Sequence, residues 1–337
     1  MESYIDKLKN CGKNVCVYGM GNGAEKIIRY LKANGIEISG VFASDDFVRG
    51  QSFLGMRVLT EAQAEALYGD FACVSAFALR GEDCDIFRRM AKRRLFFAPN
   101  LPPYGEGCID EAYIERESAK IAEVRSLFAD ESSKKLFDSL LEYDVTADIG
   151  DLYVDPSVPE GWFGREGAFV DVGAYDGDTA EEYILRSSAN GTVYAFEPDA
   201  GNYKKLCARM SRYPNARCVN AACGDTDGKA FFEKGKGRGG KISGEGAEVR
   251  VVKIDTYVKE RVGAIKIDAE GADEAVLCGA VNTVYSQSPA VKCAVYHRAY
   301  DLIEIPLWLA RQTPGSRIYL RNAEYIPAFD VFAYALK

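Results

Sequence analysis

Apolar and polar residues alternate in a regular order along the first hundred positions. Short apolar runs are separated by stretches in which apolar residues recur at helical spacing. The apolar runs are 15–18, 36–43 and 71–77, and the stretches with helical spacing are 24–33 and 82–93. Strands separated by helices of this length indicate βαβ units in a parallel sheet. A proline-rich break follows at 98–105, so the pattern predicts a Rossmann-like α/β domain over residues 1–105.

The pattern changes after this break and then returns to strands. Residues 109–142 contain no proline or glycine and carry apolar residues three, four and seven positions apart, which is typical of amphipathic helices. We therefore expect a helical connector over 106–160. A second alternating series predicts another domain over 161–337, with a second doubly wound sheet. Its expected strands are 168–173, 192–197, 217–222, 264–268, 291–296, 317–320 and 331–335.

Composition narrows the function classes. The 337 residues include 42 Lys and Arg against 50 Asp and Glu, a net charge of −8. Without a basic excess, broad binding to nucleic-acid backbones is not expected. No apolar run approaches the ~20 residues of a membrane span, and the first residues lack the order of a signal peptide. We therefore expect a cytoplasmic protein with no membrane or nucleic-acid partner. The sequence does not indicate the oligomeric state.

The ten cysteines predict neither disulfides nor a zinc site. Cys16, Cys73 and Cys293 lie in apolar runs, where a thiol packs as a small hydrophobe. No CxxC pair occurs, and His297 is the only histidine. A zinc site would have to be assembled from scattered residues, so we expect mostly buried, reduced thiols.

The turn after the first strand of the second domain carries glycines and three aspartates. A turn between a first strand and a helix is where an α/β sheet binds a nucleotide-like ligand. The aspartates would repel a pyrophosphate but suit a ligand with an ammonium and a sulfonium, such as S-adenosylmethionine. Asp176 and Asp178 also fit ordinary cap or turn positions. The cofactor-binding candidates in this turn are Asp171, Gly173, Ala174, Tyr175, Asp176, Gly177, Asp178 and Thr179.

Further cofactor candidates follow the next strands. Glu197, before Pro198, can accept both hydroxyl protons of a ribose. Asn220 and Ala221 end the third strand and can flank an adenine. Asp268 ends the fourth strand, at the carboxyl edge where ligands of parallel sheets bind.

These elements resemble FkbM-type methyltransferases. The resemblance rests on Asp-Val-Gly-Ala from 171, Phe-Glu-Pro from 196, Lys-Ile-Asp-Ala-Glu-Gly from 266 and Leu-x-Gly-Ala from 277, and it spans about 160–337. It implies a class I methyltransferase sheet with an antiparallel last strand, S-adenosylmethionine as cofactor, and O-methylation of a small-molecule or sugar hydroxyl. The aspartate-rich turn and the histidine after the fifth strand depart from the common family pattern.

Three residues at the predicted ligand edge are candidates for catalysis. His297 has an unperturbed pKa near ~6.5 that suits a general base, although a lone histidine at a strand end also fits simple packing. Asp268 and Glu270 are the competing bases, or can hold a divalent ion through oxygen ligands. We assign no metal site. Lys266 fits an ion-pair partner better than a catalyst, because its amine is protonated at neutral pH.

The first domain carries a second glycine loop. Gly19, Gly21 and Gly23 precede a helix, and Gly19, Gly21 and Ala24 fit the dinucleotide pattern G-x-G-x-x-G/A. This allows an alternative function as an NAD(P)- or sugar-nucleotide-binding protein, although a purely structural loop fits as well. A second alternative is a binding protein with a degenerate methyltransferase domain.

The glycine-rich segment 234–246 predicts a loop between two strands.

Overall fold

The structure is a computed structural model that describes residues 2–187, 191–234, 240–243 and 246–337. Most of the glycine-rich segment 234–246 lies outside the described residues. The chain divides into two compact units. The first comprises Met1–Ile121, Lys134–Pro156 and Asn322–Asp330, and the second comprises Ala122–Ser133, Ser157–Arg321 and Val331–Lys337. The division differs from the sequence-based boundaries, because the helical connector is shared and residues 322–330 return to the first unit.

The secondary structure alternates strands and helices throughout. The strands are β1 (Val15–Tyr18), β2 (Gly40–Phe42), β3 (Ser52–Phe53), β4 (Met56–Leu59), β5 (Ala72–Ser75), β6 (Leu79–Arg80), β7 (Phe96–Phe97), β8 (Ala168–Val172), β9 (Val193–Phe196), β10 (Ala216–Val219), β11 (Ala222–Cys223), β12 (Gly228–Lys234), β13 (Gly240–Ser243), β14 (Ala247–Val252), β15 (Val262–Ile267), β16 (Ala290–Ala294), β17 (Arg317–Asn322), β18 (Tyr325–Ile326) and β19 (Val331–Leu336). The helices are α1 (Tyr4–Asn10), α2 (Asn22–Ala33), α3 (Glu61–Tyr68), α4 (Asp85–Arg93), α5 (Glu111–Arg116), α6 (Ser118–Leu127), α7 (Glu131–Thr146), α8 (Asp178–Arg186), α9 (Ala200–Met210), α10 (Ile254–Tyr257), α11 (Asp273–Gly279), α12 (Val281–Gln287) and α13 (Asp301–Gln312).

The first unit contains a six-stranded sheet in the order β3-β4-β2-β1-β5-β7. Strand β1 shows why both faces are covered. Its residues Val15 and Val17 belong to a core cluster with Leu31 of α2, whereas Cys16 and Tyr18 belong to a cluster with residues of α4. Because successive side chains of a strand point to opposite faces, a fully apolar strand requires helices on both sides. The predicted doubly wound sheet is confirmed here.

The second unit contains a seven-stranded sheet in the order β10-β9-β8-β15-β16-β19-β17. Strands β10, β9, β8, β15 and β16 pair in parallel, while β19 pairs antiparallel with β16. The predicted antiparallel last strand is therefore confirmed. The expected strand 217–222 is interrupted: β10 ends at Val219, and residue 222 begins β11 in a separate four-stranded sheet. The strand order reverses between β8 and β15, so their carboxyl ends mark the topological switch point where α/β sheets bind ligands.

Within the described part of the chain, no helix is long and apolar enough to cross a membrane. The ten cysteines are all free in the structure, and Cys16, Cys73 and Cys293 are buried as expected.

Candidate active site

A buried ion pair joins the two strands at the switch point. Asp171 on β8 and Lys266 on β15 are register partners, and the Lys266 Nζ lies 3.3 Å from Asp171 Oδ1. Lys266 also donates to the carbonyl oxygen of Gly173 at 3.0 Å. Asp171 is 0% exposed. The expectation that Lys266 serves as an ion-pair partner is thus confirmed.

The charges of this pair oppose the cost of burial. Burial raises the pKa of Asp171, although the Lys266 charge acts against that effect. Burial also disfavours the charged form of Lys266, but the Asp171 and Asp268 carboxylates outweigh it and raise the pKa of the amine. Neither carboxylate oxygen of Asp171 has a hydrogen-bond partner of acceptable geometry among the described residues. Asp171 therefore retains acceptor capacity at the end of β8.

The glycine turn after β8 lies directly against the end of β15. A Cβ at Gly173 (φ +71°) would lie 1.9 Å from the Asp268 carbonyl oxygen, so only glycine fits. Tyr175 has a φ of +49°, and Gly177 precedes α8 with a φ of +90°. The turn thus has three residues with left-handed backbone angles, and at Gly173 it has no room for a side chain.

The other two aspartates of the turn have partners within the unit. Asp176 Oδ2 accepts a hydrogen bond from Arg209 of α9 at 2.7 Å. Asp178 Oδ1 accepts the backbone N–H of Thr179 at 2.7 Å, within the first turn of α8. These contacts indicate that Asp176 and Asp178 stabilise the turn. Their contact with a cofactor stays a prediction.

Glu197 directly follows β9 as a buried carboxylate held by main-chain donors. Its Oε2 accepts the N–H of Tyr175 at 3.0 Å and its Oε1 accepts the N–H of Asp199 at 2.8 Å. Burial raises the pKa of Glu197 to about 7, although these N–H groups act in the opposite direction. Asn220 donates from Nδ2 to the Glu197 carbonyl at 2.8 Å and to the Pro198 carbonyl at 3.1 Å. Ala221 is buried beside it.

His297 lies among three carboxylates at the ends of β15 and β16. Its Nδ1 is 2.7 Å from Asp273 Oδ2, and its Nε2 is 3.3 Å from Asp268 Oδ1 and 3.7 Å from Glu270 Oε2. Tyr296 donates its hydroxyl to Asp268 Oδ1 at 3.1 Å. The structure thus brings together the three residues that the sequence nominated for catalysis.

The surroundings of His297 favour its cationic form. Burial would lower the pKa of the ring, but Asp273, Asp268 and Glu270 outweigh burial and raise it to about 9. A protonated imidazole donates from both nitrogens and cannot accept a proton. The cationic form therefore favours the carboxylates of Asp268 and Glu270 over His297 as the general base, and the catalytic roles of all three residues stay predictions.

Sequence reasoning missed Asp273, which is 1% exposed and begins α11. Its neighbours Asp268 and Glu270 were found because strand alternation places them near the ligand edge. Asp273 lies beyond the strand, where alternation gives no information. An aspartate in the first turn of a helix, three positions after Glu270, is the signal that was available.

No group of three or more His, Cys, Asp and Glu side chains in the described ranges is arranged to hold a metal ion. The divalent ion allowed by the sequence therefore has no structural support.

The glycine loop of the first unit has a packing explanation. A Cβ at Gly19 would lie 2.7 Å from the Phe77 ring, and one at Gly23 would lie 2.6 Å from the Ala76 carbonyl oxygen. Gly21 precedes α2 with a φ of +94° and has open space around it. Two of the three glycines are thus required by contacts within the unit, whether or not a nucleotide binds.

Comparisons with known proteins agree with this geometry. Residues 171–325 match the family model described as the methyltransferase FkbM domain. A solved structure of methyltransferase FkbM from Methylobacillus flagellatus KT is 16% identical, with a TM-score of 0.74, over 98% of this chain and 92% of that one. These findings confirm the resemblance to FkbM methyltransferases and the α/β fold class. No curated protein matches the chain.

Two structures crystallised with a cofactor or its product are more distant. Aeropyrum pernix fibrillarin with natively bound S-adenosyl-L-methionine has a TM-score of 0.36 and 10% identity, over 53% of this chain and 70% of that one. The N-methyltransferase NodS from Bradyrhizobium japonicum WM9 with S-adenosyl-l-homocysteine has a TM-score of 0.32 and 7% identity, over 64% and 96%. Likeness at this level carries no argument about this chain.

Proposed function

Because residues 171–325 match the family model of the methyltransferase FkbM domain, we propose that the protein transfers a methyl group from S-adenosylmethionine to a hydroxyl of a small molecule or sugar. The observation that carries this proposal is the convergence of three carboxylates at one sheet edge. Asp171, Glu197 and Asp268 lie at or directly after the carboxyl ends of three strands that are adjacent in the sheet, β8, β9 and β15.

The residues at this edge fit the cofactor. Apart from the ion pair with Lys266, the two carboxylate oxygens of Asp171 accept no hydrogen bond from the residues that the structure describes, which suits the cofactor's ammonium group. Glu197 has one main-chain donor on each oxygen, so its remaining lone pairs are available for the two ribose hydroxyls. Gly173 allows close backbone approach, and Asn220 and Ala221 would flank the adenine. When bound, the cofactor supplies an electrophilic methyl group on a sulfonium.

We propose that Asp268 receives the proton of the acceptor hydroxyl. Its side chain follows β15 at the switch point, is about a quarter exposed and lies beside Glu270. Proton transfer to a carboxylate makes the acceptor oxygen more nucleophilic as the carbon–oxygen bond forms. Tyr296 and His297 donate toward Asp268, so they fix its orientation. Transfer then depends on lining up the oxygen with the methyl group.

Cofactor affinity should fall below neutral pH. The pKa of Glu197 is raised to about 7, and only its ionised form accepts both ribose hydroxyls. The dissociation constant for S-adenosylmethionine should be constant above this pKa and weaken by up to about tenfold per pH unit below it. Calorimetry at several pH values measures this dependence. Glu197→Gln is the control. This variant should bind S-adenosylmethionine weakly, and its dissociation constant should not change with pH in this range. A wild-type affinity that stays unchanged down to about pH 5.5 would contradict the ribose assignment.

The proposed activity is tested with methyl-labelled S-adenosylmethionine and a panel of sugars and polyketide-like hydroxyl compounds. Label is expected in at least one hydroxyl acceptor and in none when the protein is omitted. Transfer to amine analogues instead of hydroxyls would overturn the proposed acceptor class.

A further inference from the structure

Asp273 joins two parts of the active site that come from distant positions in the chain. Its Oδ1 accepts the N–H of Ala269 at 2.7 Å, and its Oδ2 accepts the N–H of Gly271 at 3.1 Å. The same Oδ2 lies 2.7 Å from His297 Nδ1. Both side chains are 1% exposed. One buried carboxylate thus holds the turn after β15 and the ring that follows β16.

The turn that Asp273 holds has an unusual backbone. Glu270 has a φ of +51° and Gly271 a φ of +89°. A non-glycine residue in the left-handed region costs free energy and persists where surrounding contacts enforce it. The main-chain hydrogen bonds to Asp273 on either side of Glu270 are such contacts, and Arg298 adds another by donating from Nε to the Gly271 carbonyl at 2.6 Å.

The orientation of His297 follows from its neighbours. A carboxylate can only accept hydrogen bonds, so Asp273 requires an N–H at Nδ1. The opposite nitrogen faces Asp268 at 3.3 Å and Glu270 at 3.7 Å, which requires a second N–H. Two further charged residues near the ring are Asp301, at the start of α13, and Arg298. Asp301 accepts the Arg298 N–H at 2.9 Å.

We infer that Asp273 is a positioning residue for methyl transfer: it aims the Nε2–H of His297 at Asp268 and Glu270 and thereby sets where these two carboxylates meet the acceptor. This inference rests on the proposed function. In this arrangement His297 is a fixed donor, and Asp273 acts through it without touching the acceptor.

The single histidine makes the inference directly measurable. The imidazole ¹⁵N and ¹H signals of the 337-residue chain arise from His297 alone, so their titration by NMR needs no assignment. At pH 7 both ring nitrogens should carry a proton in the wild type. In Asp273→Asn, the ring should titrate at a pH lower by about one unit or more, because a buried opposite charge is lost. A neutral wild-type ring at pH 7, or an unchanged titration in Asp273→Asn, would overturn the inference.

Asp255→Asn is the matched control. Asp255 also accepts two main-chain N–H groups, those of Asn282 and Thr283 at 3.0 and 2.8 Å. Loss of the Asp255 carboxylate should therefore disturb the start of α12 without changing the pH at which His297 titrates. If Asp273→Asn does not fold, the wild-type ring decides, since a neutral ring at pH 7 contradicts the inference by itself.

Kinetics separate positioning from structural support. With an acceptor in hand, Asp273→Asn should lower kcat about 10–100-fold with little change in KM for S-adenosylmethionine, because a small misplacement of reacting groups affects the transition state most. The alkaline limb of its pH profile should also move to lower pH. A variant whose kcat and pH profile match the wild type would overturn the inference. Failure of the wild type to bind S-adenosylmethionine would instead overturn the proposed function, and the NMR titration would still report on the Asp273–His297 contact.

Discussion

Replacing Lys266 with methionine should lower the free energy of unfolding by about 3–5 kcal/mol, which is typical when one partner of a buried ion pair is removed. Lys266 is 4% exposed and Asp171 is 0% exposed. Without the Nζ at 3.3 Å, the Asp171 carboxylate would have neither a counter-ion nor a hydrogen-bond donor of acceptable geometry among the described residues. Urea unfolding followed by circular dichroism measures the change.

Two further variants make this experiment specific. Lys229→Met removes an exposed lysine that pairs with Glu248 at 2.7 Å and should leave the unfolding midpoint nearly unchanged. The double variant Lys266→Met/Asp171→Asn should recover part of the lost stability, because it removes the buried charge as well. Equal stability of Lys266→Met and the wild type would show that the pair contributes nothing to folding.

Asp268→Asn should lower methyl transfer by ~10²–10⁴ while the dissociation constant for S-adenosylmethionine changes little. The amide has nearly the shape of the carboxylate and can still accept from Tyr296, but it cannot take up the acceptor proton. Turnover is measured with methyl-labelled cofactor and the acceptor found in the panel. Asp227→Asn is the control, because Asp227 is an exposed carboxylate that accepts the Lys253 N–H at 2.9 Å before α10.

The outcome also distinguishes Asp268 from His297. If Asp268→Asn retains full turnover, the proton goes elsewhere. Wild-type turnover at saturating cofactor that rises with pH at the midpoint of the His297 ring titration, together with its loss in His297→Ala, would return the role of base to the histidine.

The sequence was sufficient to locate the second sheet and most of its ligand edge. Strand ends at Val172, Phe196 and Ile267 lie within about one residue of those expected, because buried parallel strands are short apolar runs with polar residues directly after them. An ion pair of Lys266 was also expected, but its partner Asp171 is identified only by the register of β8 and β15. Two-residue strands such as β3 and β6 were missed, since so short a segment has no measurable periodicity.

The state of His297 could not be predicted from the sequence. The pKa of a histidine depends on the charged groups around it, which the sequence does not identify. Here the three carboxylates come from positions 24 to 29 residues away. The three carboxylates and the histidine come together only through the tertiary packing of α11 and β16. The path of residues 322–330 back into the first unit, where β18 pairs with β6, is likewise a tertiary contact with no local signal.

The central claim is that the sheet edge at Asp171 and Glu197 binds S-adenosylmethionine. Isothermal calorimetry with S-adenosylmethionine, S-adenosylhomocysteine and NAD tests it most directly. The wild type should bind the first two with one site per chain and show no heat with NAD, and Glu197→Ala should bind S-adenosylmethionine weaker by about 2–3 kcal/mol because a charged acceptor is lost from two hydroxyls. Binding of NAD but not S-adenosylmethionine, or an unchanged dissociation constant in a folded Glu197→Ala protein, would contradict the account.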